Sequence, residues 1–296
     1  MKIILTGSNG QLGKAIALKK PLGIDLIPLD RKEFDITNYD ECKKIIFKFN
    51  PDWILNAGAY TLVDKAETNK DIALKVNRDG PKWLSEILYQ KKGRLLHIST
   101  DYIFDGKKSE PYKVDDKVNP LSVYGLSKAL GEKEIEKVFG DSNKAIILRT
   151  SWLMGPIGRN FASTMLKLHS EKEIIKVVAD QYGCSTSIFS LANFCWQVIL
   201  QANSKENSIP RILHWRDEGI TTWFEVAKAI GEMGINLKIN SKKANVIPIS
   251  TEEYKSPARR PKFSILDTSE TKHIFKLEPL NWKKSLINDF TQNFNF

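Results

Sequence analysis

Through the first half of the chain, short apolar runs ending in glycine or small polar residues alternate with longer stretches of helical period. Lys2-Ile3-Ile4-Leu5-Thr6 is apolar on both faces, as a strand buried in a parallel sheet must be. A helix is predicted from Gln11 to Lys19 and a second strand over Asp25–Asp30. Pro28 inside that strand cannot donate to a ladder, which places it near a sheet edge. Thr37 can cap a helix from Asn38 to Phe49, with Asp40 completing a capping-box-like pair. Further strands are predicted at Trp53–Gly58, Arg94–Ser99 and Ala145–Arg149, and further helices at about 78–91 and 121–138. This alternation specifies an α/β protein, a Rossmann-like doubly wound parallel sheet with right-handed crossovers.

After Trp152 the rhythm loosens. Helical periods recur near 161–169, 191–201 and 222–232, with a strand at 174–178, a polar surface connection over 204–210 and a basic, proline-bracketed loop over Ser256–Pro261. No repeat or low-complexity linker separates the halves. The expected organisation is a dinucleotide-binding domain over 1–151 and a smaller C-terminal lobe over 152–296, mainly substrate-binding. Some segments of the lobe are expected to return to the first sheet.

Composition narrows the class. A chain of 296 residues, 42% hydrophobic and 27% charged, carries enough apolar material for a core and excludes a disordered or collagen-like chain. The net charge of +10 is spread in lysine pairs such as Lys19-Lys20 and Lys242-Lys243, which reads as a solvated surface rather than a nucleic-acid stripe. The three cysteines, Cys42, Cys184 and Cys195, form no C-x-x-C pair, so a reducing, cytoplasmic setting is expected. The four histidines lack ligand spacing, and no zinc site is expected. The apolar N-terminal stretch is too short for a signal peptide, and no later segment reaches the length of a membrane span.

Two constellations carry the candidate chemistry. Gly7-Ser8-Asn9-Gly10-Gln11-Leu12-Gly13 is a G-x-x-G-x-x-G loop between the first strand and the first helix. Its glycines let backbone approach a diphosphate at a helix N-terminus, so Gly7, Asn9, Gly10, Gln11, Leu12 and Gly13 are candidate cofactor contacts. Asp30 ends the second strand, where an acid takes ribose hydroxyls, while Arg31 is suited to a 2′-phosphate. The two signals leave NADH and NADPH both open. Asp35 and Ile36 are candidates for the adenine edge, and the small residues Ala57, Gly58 and Ala59 leave room for a flat cofactor. The second constellation is Tyr124 and Lys128, four residues apart and so one helical turn from each other. An ammonium beside a phenol lowers its pKa, which would make Tyr124 a suitable acid for a carbonyl that receives a hydride. Ser99-Thr100 closes the fourth strand at the sheet edge where ligands bind, and the Thr100 hydroxyl can polarise a substrate carbonyl.

These residues resemble the extended short-chain dehydrogenase/reductases and, within them, the dTDP-4-dehydrorhamnose reductase family. The resemblance runs through GSNGQLG at 7–13, Ala59-Tyr60-Thr61 with Val63–Glu67, Ser99–Gly106, Pro120–Lys128 with Gly131-Glu132, Arg149–Leu153, Asp180-Gln181 with Gly183, and Arg260-Pro261. It implies reduction of the C4 ketone of dTDP-4-dehydro-L-rhamnose by NADPH or NADH. Tyr124 would be the proton donor, Lys128 its tuner and ribose anchor, and Thr100 the third catalytic group. It further implies a substrate pocket of Thr100, Asp101, Tyr102 and Trp152, with Asn160 and Arg260 on the nucleotide-diphosphate side. Ser185 before Thr186, and Phe263 before Ser264, depart from the family's usual proline and asparagine on that side. Some family members use magnesium, but the scattered Asp64, Glu67, Asp115 and Asp116 define no site. The expected partner is a dTDP-sugar, without nucleic acid or membrane, in a monomer or homodimer. Alternatives are another nucleotide-sugar 4-keto reductase or epimerase, and a non-catalytic subunit similar to methionine adenosyltransferase beta subunits.

Overall fold

A computed structural model describes residues 1–140, 142–204 and 209–293. The first half runs β1 (Lys2–Thr6), α1 (Gln11–Leu18), β2 (Asp25–Leu29), α2 (Tyr39–Phe49), β3 (Trp53–Asn56), the short α3 (Val63–Ala66) and α4 (Lys70–Leu74), α5 (Gly80–Gln90), β4 (Arg94–Thr100), α6 (Val123–Phe139) and β5 (Ala145–Thr150). The second half comprises β6 (Leu153–Met154), α7 (Phe161–Glu171), β7 (Ile174–Val178), β8 (Tyr182–Gly183), β9 (Thr186–Ser187), α8 (Ile188–Asn203), β10 (Ile212–His214), β11 (Thr221–Thr222), α9 (Trp223–Asn236), β12 (Asn245–Ile249), α10 (Thr251–Tyr254), α11 (Ser269–Phe275) and α12 (Trp282–Asn293).

Six parallel strands form the central sheet in the order β10-β5-β4-β3-β1-β2, with Pro28 on the edge strand. One face packs on α1 and α8, around Ile16, Leu55, Leu191 and Phe194. The other packs on α2, α5 and α6, around Ile46, Leu84 and Ile135. A separate cluster of α7, α9 and α12 residues, including Met165, Ile230 and Phe290, forms the core of the lobe. Because every strand of the main sheet runs the same way, Thr6, Asn56, Thr100 and Thr150 all end on one edge.

Three features differ from the sequence expectation. The cap of α2 is Asn38, whose side chain accepts Glu41 N–H, rather than Thr37, and Asp40 closes no capping box. The strand β10, at a place where the pattern gave no element, joins the main sheet beside β5 with Leu213 and His214 buried. The helix expected from residue 78 is preceded by a π-helical turn over Lys75–Asp79. Of the polar connection at 204–210, residues 205–208 lie outside the described residues. Among the described residues, no helix is long and apolar enough to cross a membrane.

Candidate active site

The glycine loop turns between β1 and α1 with Gly7 at φ +65°, the left-handed region that glycine enters without strain. A Cβ there would come within 2.8 Å of the Gly58 backbone, so the β1 and β3 loops touch at a point no other residue permits. Gly10 precedes α1 and offers no side-chain cap, leaving first-turn N–H groups turned toward the loop. The Gln11 side-chain oxygen is buried there without a partner among the described residues. A cradle of bare backbone, an open helix N-terminus and an unmatched polar atom fit an anionic dinucleotide. Asp30 stands at the end of β2, where its carboxylate accepts Asn9 Nδ2–H at 2.5 Å and Lys32 N–H at 2.7 Å. Arg31 beside it is exposed. Asp35 holds the turn into α2 by accepting Thr37 N–H, while Ile36 is buried under Gly58 and Gly80. Ala57, Gly58 and Ala59 lead away from β3, and Gly58 N–H donates to the Thr6 hydroxyl.

Helix α6 begins at Ser122, which accepts Gly125 N–H, and carries Tyr124 and Lys128 along the edge of β4. Its start is tied down by Glu67, which accepts Val123 N–H at 2.9 Å. Gly125 lets the helix lie against Tyr102, since a Cβ there would come within 2.2 Å of the Tyr102 carbonyl oxygen. The π-turn contributes Asn77, which clasps both the N–H and C=O of Tyr60 and donates to Ser127 at 2.9 Å. Below, Arg149 makes a buried pair with Glu132 at 2.7 Å, and Ser99 donates to the same carboxylate. This network fixes α6 against β4 and β5.

The Thr100 hydroxyl lies beside the Tyr124 phenol and donates to Asp101 Oδ1 at 3.1 Å. Asp101 is 1% exposed, and burial pushes its carboxyl up to about 7 despite hydrogen bonds from Ser264 and Thr100. Its Oδ2 finds no partner among the described residues. Lys128 is fully buried, and loss of solvation brings its ammonium down to about 8, opposed by the nearby Glu132 carboxylate. Its Nζ donates to the Ile98 carbonyl at 2.6 Å and lies 3.1 Å from His97 Nε2. The expectation that Lys128 draws the Tyr124 pKa down fails in this structure. Burial pushes the phenol up to about 12; the Thr100 hydrogen bond lowers it and the Asp101 charge raises it further. Helical spacing put the two residues on one face, and β4 supplies the His97 and Ile98 groups that Lys128 Nζ contacts.

Among the residues expected at the sugar, the Tyr102 ring stands edge-on to Tyr124 with centroids 5.8 Å apart. Trp152 adopts φ +43°, unusual for a bulky residue, and stacks on Trp223 with centroids 3.7 Å apart and an 11° tilt. Phe161 meets the other partner of that stack edge-on. Asn160 caps α7: its side chain accepts Ser163 N–H and donates to the Gly155 carbonyl at 2.8 Å. Arg260 makes two parallel hydrogen bonds to Asp64, at 3.0 and 2.9 Å, and a further one to the Ala258 carbonyl. Both residues expected to face a diphosphate are thus engaged within the protein. Of the scattered acids, Asp64 is in that ion pair and Asp116 pairs with Lys108 at 2.7 Å. Among the described residues, no group of three or more His, Cys, Asp or Glu side chains is placed to hold a metal.

Several residues escaped the sequence reading. Asn77, Trp223 and His97 act through contacts between elements far apart in the chain. The run Arg149-Thr150-Ser151-Trp152 signalled its neighbourhood without signalling those partners.

The sheet order, the glycine loop and the Thr100–Tyr124–Lys128 grouping define a Rossmann-like protein of the extended short-chain dehydrogenase/reductase kind. Residues 1–295 match the model for the RmlD substrate binding domain, and the chain belongs to that family. It is 38% identical over 289 residues to a dTDP-4-dehydrorhamnose reductase of Aggregatibacter actinomycetemcomitans, covering 97% of each chain. Crystal structures of two proteins described by the same name superpose closely. One, from Clostridium acetobutylicum, has a TM-score of 0.88 at 36% identity, covering 98% of this chain and 99% of the other. The second, from Bacillus anthracis in complex with NADP, has a TM-score of 0.89 at 34% identity, covering 99% of each.

Proposed function

We propose that the protein is an NAD(P)H-dependent reductase of the C4 ketone of dTDP-4-dehydro-L-rhamnose, yielding dTDP-L-rhamnose. The carrying observation is Thr100 at the end of β4, set beside the Tyr124 phenol and bonded to the buried, half-satisfied Asp101. The likeness to reductases of that name along the whole chain supports the substrate, and the NADP complex of the Bacillus anthracis protein supports the cofactor.

The dinucleotide, held by the Gly7–Gly13 loop with Asp30 and Arg31 at the adenosine end, supplies a hydride when bound. Thr100 turns its hydroxyl from Asp101 to donate a hydrogen bond to the ketone oxygen, and Tyr124 gives that oxygen its proton. A phenol pushed up to about 12 stays protonated throughout the neutral range, which is the form a donor needs. Asp101 Oδ2 accepts a hydrogen bond from a sugar hydroxyl, which satisfies an otherwise orphaned buried oxygen. Trp152, backed by Trp223, offers a flat face to the hexose. Lys128 anchors the nicotinamide ribose. Arg260 and Asn160 shape the nucleotide side, Arg260 reaching a phosphate by exchanging Asp64 for it. The lobe from residue 152 onward closes the sugar over the cofactor domain.

The test follows NADPH absorbance with dTDP-4-dehydro-L-rhamnose and other 4-keto nucleotide sugars. Tyr124→Phe, which removes only the hydroxyl, should lower turnover about 10²-fold or more with cofactor affinity nearly kept. Unchanged turnover overturns the assignment. Preference for a different keto sugar redirects it to another reductase on the same scaffold.

A further inference from the structure

Behind Lys128, a continuous line of buried polar groups crosses three strands. Gly58 N–H donates to Thr6 Oγ1 at 3.2 Å, and Thr6 Oγ1–H donates to Asn56 Oδ1 at 2.6 Å. Asn56 Nδ2 lies 2.9 Å from His97 Nδ1, His97 Nε2 lies 3.1 Å from Lys128 Nζ, and Lys128 Nζ donates to the Ile98 carbonyl at 2.6 Å. Thr6, Asn56, His97 and Lys128 are at most 2% exposed, so none of these bonds is exchanged for bulk water.

The ends of the line cannot be reversed, because one is a backbone N–H and the other a backbone C=O. With the Thr6 hydroxyl donating to Asn56, the Asn56 amide turns its N–H toward His97 Nδ1. Burial and the neighbouring Lys128 keep the imidazole neutral, so it has one N–H. That hydrogen then sits on Nε2 and points at Lys128 Nζ, which can accept it only as an uncharged amine. When Lys128 takes a proton, Nζ becomes a donor only. The imidazole hydrogen must then move to Nδ1, and the Asn56 amide must turn over, so that Thr6 Oγ1 accepts from Asn56 Nδ2 as well as from Gly58 N–H.

We propose that His97 is the positioning residue for Lys128, and that its tautomer switches in step with the ionisation of that lysine. The proposal rests on the reading of Lys128 as part of the reductase machinery. Other ionisable groups acting on the pair are few. Glu132 on α6 bears on Lys128 and is itself closed by Arg149 from β5, and Tyr124 lies one turn away on α6. From β1 and β3 come only the neutral Thr6 and Asn56.

The direct test needs neither cofactor nor substrate. In protein labelled with 15N-histidine and 13C-lysine, NMR between pH 6 and 10 reads the His97 tautomer and the Lys128 titration, with the His97 signal assigned by its loss in His97→Asn. The expected result is an Nε2–H tautomer at high pH, an Nδ1–H tautomer at low pH, and one shared midpoint. A tautomer that stays fixed while Lys128 titrates overturns the coupling. Two variants test the consequence for turnover. His97→Gln keeps an amide at the Nε2 position and should retain kcat within about 3-fold. His97→Asn keeps only the group facing Asn56 and should lower kcat about 10-fold or more and shift the pH profile, an effect of the size of one lost buried hydrogen bond. Equal kcat and identical pH profiles in the two variants overturn the positioning role. Should His97→Asn fail to fold, the tautomer measurement on the native chain still decides the coupling. Native turnover in Lys128→Met would instead remove the reading on which the proposal rests, whatever the NMR shows.

Discussion

The two halves of this molecule hold their functional groups by different means. On the cofactor side, strands of four to seven residues lie in one parallel sheet, and the groups that matter are strand ends or the backbone of a glycine loop. Their positions follow from local chain geometry. In the second half, strands pair two by two in separate ribbons, only β7–β12 reaching five residues, and the work of fixing Trp152 and Arg260 falls to side chains. Arg216 is typical: nearly buried, it donates to the carbonyls of Leu266 and Asp217 and so ties separate loops together. A half built from a ladder tolerates side-chain change, whereas a half built from side-chain contacts is tunable and fragile at each one. Specificity for a sugar belongs in the second kind.

Experiments can break that contrast at its extremes. The largest effect is expected where the first half departs from its own rule, at the buried Arg149–Glu132 pair. Glu132→Gln leaves a guanidinium buried without its counter-charge, a loss of about 3–5 kcal/mol. Thermal denaturation should fall by about 10 °C, and turnover should fall with it because α6 loses its seat. A melting point within a degree or two of the native value would show that the ladder alone holds the helix.

On the sugar side, Trp223→Leu removes the ring behind Trp152 and should raise KM for the nucleotide sugar about 3- to 10-fold, with kcat within about 2-fold. Steady-state kinetics decide this, and a pure loss of kcat would place Trp223 in the chemistry instead. Arg31→Ala should weaken NADPH by up to about 10-fold while leaving NADH unchanged, if the guanidinium meets a 2′-phosphate. Equal losses by fluorescence titration would point to packing.

The smallest effect concerns the seam between the halves. Asp289 on α12 accepts the Ser187 hydroxyl at 2.7 Å, and burial raises its pKa to about 7, with the Asp217 charge adding to the rise and Lys19 opposing it. Asp217 itself is raised to about 6, chiefly by burial. Between the ordinary carboxylate range and pH 7 the folded state holds a proton that the unfolded chain has released. Stability therefore falls as pH rises through that window. Asp289→Asn should remove part of this loss, raising the melting temperature by a few degrees at pH 8 and by less at pH 5. An equal change at both values would mean that Asp289 is ionised in the fold.

The sequence by itself determined the alternation of strands and helices, the edge position of the Pro28 strand, the glycine loop and the placing of Tyr124 and Lys128 on one helical face. All of these follow from periods of two and 3.6 residues and from the φ range of glycine and proline, which neighbours in the chain decide. Tertiary structure decided where the polar ends of those side chains go. It chose Asn38 over Thr37 as the cap of α2, seated Arg260 on Asp64 some two hundred residues away, and recruited Ile212–His214 as the sixth strand. It also turned Lys128 toward β4 and left the Tyr124 phenol high rather than low. Burial and hydrogen-bond partners set a side chain's proton affinity, and both are supplied by residues distant in sequence, where spacing carries no information.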